Sequence, residues 1–171
     1  MMEHQHQMAS ARSDAKEYAK FVLVIIGIFL VSWYLQGRLG DSVESWMRYF
    51  MGTFFVVFAT FKFIGYRMFV EMFAGYDIVA KRFKPYSYLY PFIELGLGVM
   101  YLANLIPNTR DRLTLAVMTV GAIGVFQEIY HRRSGVYCAC LGNIIKLPLS
   151  TVSLVEDVSM AAMAAIMLAI R

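Results

Sequence analysis

Long apolar blocks alternate with short polar connections along this chain, and the block lengths say what they are. Five blocks stand out, at residues 21–36, 49–64, 86–106, 113–129 and 147–170. A hydrocarbon layer about 30 Å thick takes roughly 20 residues of helix to cross. The pattern therefore predicts an all-α integral membrane bundle of about five spans. Lys20 and Arg38 flank the first block, Arg48 and Lys62 the second, each placed to carry its charge to an interface. Residues 65–82 break the pattern, because aromatic and aliphatic positions there alternate with Arg67, Glu71, Asp77, Lys81 and Arg82. Such a stretch predicts an interfacial or partly re-entrant helix packed on the bundle, with Glu71 and Asp77 as interfacial acids. Residues 1–19 form a polar tail with no apolar core of a signal peptide, so the first span would direct insertion. Residues 20–171 then make one domain, since the connections are too short to hold a second.

Composition supports the same class. Hydrophobic residues make up 59% and charged residues 16%, aromatics reach 15%, and mean hydropathy is +0.56. A soluble domain of this length could not hide that much apolar surface. The net charge of +4 calls for no nucleic acid, because anionic lipid at the inner leaflet accounts for it. With the N-terminus inside, the inner segments hold Arg12, Lys16 and Lys20, then Lys62, Arg67, Lys81, Arg82 and Lys84, then Arg132, Arg133 and Lys146. The remaining basic residues fall outside, which predicts a cytoplasmic N-terminus and a cytoplasmic segment before the last span.

Charge inside the blocks points to chemistry. Starting the last helix after Asp157 would leave only residues 158–170, too few to cross, so Glu156 and Asp157 must lie within it. Glu94 sits at a similar depth in the third block. A carboxylate in hydrocarbon is costly unless paired, hydrated or protonated, so all three are candidate functional residues. They could form a proton or cation path, or be packing anchors satisfied by Lys62, Arg67 or backbone groups of facing helices. Adjacent helix positions point about 100° apart, so Glu156 and Asp157 are expected to meet different neighbours.

Cys138 and Cys140 are separated by a single residue, in a segment with His131, Arg132, Arg133 and Lys146. A disulfide between them would close a small strained ring that is readily reduced, which suits exchange better than stapling. Basic neighbours favour the reactive thiolate. The plain alternative is two small residues at a helix end. Met1, Met2, His4, His6 and Met8 add soft and imidazole ligands, so a Cu(I)-type site is the alternative to redox thiols, with His4, His6, Met8, Cys138 and Cys140 as its weak candidates. A short His run is also what a tail without function can carry. Two cysteines without a His pair do not make a closed zinc site.

Several separated motifs carry a resemblance. Phe61-Lys62-Phe63 through Tyr76-Asp77-Ile78-Val79-Ala80-Lys81-Arg82 is followed by Tyr90-Pro91-Phe92-Ile93-Glu94-Leu95-Gly96-Leu97-Gly98. Cys138-Ala139-Cys140-Leu141-Gly142 and Leu147-Pro148-Leu149-Ser150, leading to Glu156-Asp157, complete the set. In this order, over residues 49–171, the chain resembles the MauE branch of the DoxX-like membrane proteins. That resemblance implies a four-helix core with one further span, in the bacterial inner membrane, associated with redox or thiol chemistry. Members in methylamine-utilisation clusters support maturation of methylamine dehydrogenase, whose small subunit is rich in disulfides.

No Gly-rich phosphate loop, paired His-Glu zinc motif, Gly-x-Ser-x-Gly elbow or haem-attachment motif occurs in the sequence. The expectation is a redox accessory rather than a stand-alone enzyme. It would work on a thioredoxin-like or substrate protein through Cys138 and Cys140. No cofactor is evident in the sequence; a quinone or Cu(I) is compatible with it.

Overall fold

The computed structural model describes residues 2–40, 42–131 and 149–170, with side chains described at 18–40, 42–75, 77–127, 130 and 154–170. Seven helices run in order among the described residues: α1 (Met2–Leu39), α2 (Val43–Ile64), α3 (Tyr66–Tyr76), α4 (Ile78–Arg82), α5 (Pro85–Leu102), α6 (Pro107–His131) and α7 (Leu149–Ile170). No strand occurs among the described residues, and the all-α class holds.

Each apolar block becomes a helix, with shifted ends. α1 extends back to Met2, so the polar tail continues the first helix instead of leaving it. Ala, Glu and Gln, eight of the seventeen residues from 3 to 19, propagate a helix once the span has nucleated it. The stretch 65–82 is two helices, α3 and α4, rather than one. Asp77 breaks it: with backbone at φ −70° and ψ 138°, its carboxylate accepts from the amides of Val79 and Ala80 and caps α4. The third block stops early, at Leu102, and Asn104 (φ 53°) and Ile106 (φ 38°) turn the chain in the left-handed region. Pro107 then opens α6, where its missing amide costs nothing.

Two helices among the described residues are long and apolar enough to cross a membrane, Tyr18–Leu39 and Val43–Ile64. The first presents its apolar side chains outward, with Leu23 71% and Trp33 65% exposed. A contiguous exposed apolar helix of that length fits lipid, not water.

Packing pairs α2 with α5 and α6 with α7, lays α1 along α2, and sets α3 and α4 against α5 and α6. α2 and α5 meet closely at Gly98, where an added Cβ would lie 2.8 Å from Val56 Cγ2 and 3.0 Å from the Val56 amide nitrogen. The main core joins Phe54, Phe55 and Phe58 of α2 to Leu97 and Tyr101 of α5, Met118 of α6 and Met160 of α7. A second core, with Phe69, Val70 and Phe73 of α3, Tyr90 of α5 and Val125 of α6, lies at one end of the bundle. Charged groups gather where the two cores meet.

Candidate functional site

Lys62 occupies the last turn of α2, and Glu94 lies midway along α5. The ammonium donates to both carboxylate oxygens of Glu94, at 2.5 Å, with the two side chains buried at 4% exposure each. The same ammonium faces two rings, 5.2 Å from the Tyr90 centroid and 5.7 Å from that of Phe69. Neither charge could stay in this apolar interior alone; each is the other's main compensation, and the aromatic faces add a weaker attraction for the cation.

α7 brings two further acids to the same place. Glu156 is buried and Asp157 is half-buried, and both edge a small enclosed cavity with Lys62 and Glu94. Phe54, Phe58, Phe69, Phe73 and Tyr90 form its aromatic wall. Its volume open to water centres, about 20 Å³, suffices for one water molecule. The expected divergence of the two acids is present in part. Asp157 turns to α6, where a Cβ on Gly121 would come within 3.0 Å of its Oδ2, so glycine there makes room for the carboxylate. Glu156, unlike Asp157, also lines a larger cleft bounded by α1 and α2. One ammonium and three carboxyl groups thus share one small cavity, an arrangement that favours holding protons or a water among them.

Asp77 stands at the margin, buried and capping α4. Burial raises its pKa above the ordinary value, against the lowering pull of the Ala80 and Val79 amides and of Lys81. Glu71 does not join the cluster, being exposed on α3, and Arg67, offered as a partner for the buried acids, is exposed as well. Cys138 and Cys140 lie outside the described residues, and the side chains of His4, His6 and Met8 do too. Among the described residues no group of three or more His, Cys, Asp or Glu side chains is placed to hold a metal.

A second polar centre lies near the opposite ends of α2 and α5. Arg110 and Asp111, both at 0% exposure, pair at 2.9 Å, and the guanidinium lies 4.2 Å from the Tyr101 ring centroid. Arg48 donates to the carbonyls of Tyr101 and Leu102 at 3.2 and 3.3 Å, satisfying the end of α5. The block pattern assigned Arg110 and Asp111 to a connection between spans. Adjacent opposite charges were the available signal, since such a pair can neutralise itself inside a helix.

The family model described as Methylamine utilisation protein MauE matches residues 40–170. The match covers most of the chain and every helix from α2 to α7, and the chain belongs to that family. No curated protein and no solved structure matches it.

Proposed function

We propose that this MauE-family membrane protein is a redox accessory that exchanges thiols or electrons with a partner protein through Cys138 and Cys140. The observation that carries the reading is the family match itself, which takes in both cysteines and the helices on either side of them. The partner is a thioredoxin-like protein or the protein being matured, within a process related to methylamine utilisation. α1, α2, α5, α6 and α7 would be the five spans of a protein in the bacterial inner membrane, with a cytoplasmic N-terminus. α3 and α4 would sit at the interface, closing the bundle beside Lys62. The buried ion pair and acids support the reading in one specific way: thiol oxidation releases protons, and carboxyl groups inside the bundle can take them up.

The test is replacement of the thiols. Cys138→Ser and Cys140→Ser should each abolish maturation of the partner's disulfides in cells, while expression and membrane insertion stay near those of the unmodified chain. Full function in the double variant would end the proposal.

A further inference from the structure

The cleft that Glu156 shares with the inner cavity has the form of a ligand site. It measures about 550 Å³ and is bounded by α1, α2 and α7. Small-molecule sites run roughly 300–1,000 Å³, mostly apolar with a few convergent polar groups. Here Phe21, Phe50, Phe54 and Met163 supply the apolar wall, while Tyr18, Glu156 and Ser159 supply the polar groups. Beyond Glu156 lie Asp157 and the Lys62–Glu94 pair.

Those features restrict the occupant. Only a lipid-soluble molecule fits the apolar wall. Phosphate and carboxylate heads are disfavoured, because the polar side of the cleft leads to three carboxyl groups and one ammonium. An uncharged head that hydrogen-bonds and exchanges protons is favoured. Position adds a further argument: Val155, at the rim, lies six residues into α7, about 9 Å along the helix from the end that joins the cysteine segment.

We infer that this cleft binds an isoprenoid quinone, its ring toward Glu156 and its tail along α1. The inference rests on the thiol reading for its redox role and names the electron acceptor for it. Two thiols lose two electrons and two protons as the S–S bond forms, and the quinone takes up two electrons and two protons to become the quinol. A strained Cys-x-Cys disulfide is strongly oxidising, so regenerating it needs an acceptor of high potential, and a quinone meets that need.

Trp46 is a built-in reporter, because it stacks on Phe50 of the cleft wall at 5.4 Å between centroids. In a Trp33→Phe chain, which leaves Trp46 as the one tryptophan, a short-tailed ubiquinone titrated into the detergent-purified protein should quench fluorescence saturably. An isoprenoid alcohol of matched tail length or an anionic phospholipid should compete at least tenfold more weakly. Ser159→Phe should remove the saturable component, and Ile123→Phe, on the far groove between α6 and α7, should keep it. Should Ser159→Phe fail to fold, an azido-quinone crosslinked to the unmodified chain should label residues 50–54 or 155–163. Quenching that never saturates, equal competition by the alcohol or the phospholipid, or labelling elsewhere would each overturn the inference. Repeating the titration in the Cys138→Ser/Cys140→Ser chain separates the two readings. Saturable binding there with partner maturation intact sinks only the thiol role, and thiol-dependent maturation without saturable binding in the Trp33→Phe chain sinks only the quinone.

Discussion

Glu94 and Lys62 are each tolerable in the bundle because of the other, and the consequences of removing one differ from those of removing both. Glu94→Ala removes the bidentate acceptor of a buried ammonium and should lower stability in detergent by about 3 kcal/mol, read by thermal or denaturant unfolding. Glu94→Gln keeps the shape and one acceptor, and should cost less. Replacing the pair together, as Lys62→Met/Glu94→Leu, should recover most of the loss, since buried pairs give little net stability over apolar packing. If the double variant also keeps partner maturation, the pair is an anchor; if stability returns without activity, the charges take part in the chemistry. Asp77, in the short connection between α3 and α4, offers a pH test. Its folded pKa is raised by burial, so the stability tied to it is fully present at acid pH, below the ordinary carboxylate value, and is lost as pH rises through the folded value. Asp77→Asn retains a capping side chain and should remove that loss, giving a flatter stability profile from acid to neutral pH. A profile as steep as that of the unmodified chain would show that another group titrates. From sequence, Glu94, Glu156 and Asp157 were legible as buried acids because they interrupt apolar blocks. The Lys62–Glu94 partnership was one of several options, since block lengths give depth along a helix and not which helices are neighbours.

At the scale of elements, the helices were legible and their breaks were not. Apolar length fixes a span, whereas the division between α3 and α4 turns on Asp77 taking two amide hydrogens, a local competition that periodicity cannot show. Likewise α6 begins at Pro107 and not near Leu113; Arg110 and Asp111 pair within its first turns, so both can be buried there while Asn108, Thr109 and Arg112 stay exposed. Two glycines of α5, two residues apart, differ in what they touch. Gly98 lies against α2, while an added Cβ at Gly96 would meet nothing within 4 Å. Gly98→Ala should therefore push α2 and α5 apart and cost about 1–3 kcal/mol, because the obstacles include the backbone of Val56, which cannot rotate away. Gly96→Ala should be neutral or slightly stabilising in the same unfolding assay, by removing glycine's entropy cost from a helix interior. Equal losses at the two positions would contradict the helix pairing described here.

For the whole molecule, the side of the membrane that holds the cysteines decides which reaction the thiols can perform. Under the proposed orientation, which rests on the bias of basic residues, the cysteines would face the cytoplasm, where thiols are kept reduced, and the α5–α6 turn would face outside. At the start of α6 Arg110 is fully buried, whereas Thr109 beside it is exposed and can take a label. In a chain lacking both native cysteines, Thr109→Cys should react with a membrane-impermeant maleimide added to intact cells, and Ser134→Cys should react only after the membrane is opened. The two ends of the bundle also differ in their buried chemistry: Arg110–Asp111 with Tyr101 lies toward one face, while Lys62, Glu94 and Asp157 lie toward the other. Under the proposed orientation the acid-rich end faces the cytoplasm, so protons leaving the thiols would enter the bundle from that side. The reverse labelling pattern would place the thiols in the periplasm, where a quinone-coupled Cys-x-Cys pair could donate disulfides directly to a secreted partner. That outcome would overturn the proposed orientation while strengthening the redox reading, because an oxidising compartment is where a strained disulfide can persist long enough to be passed on.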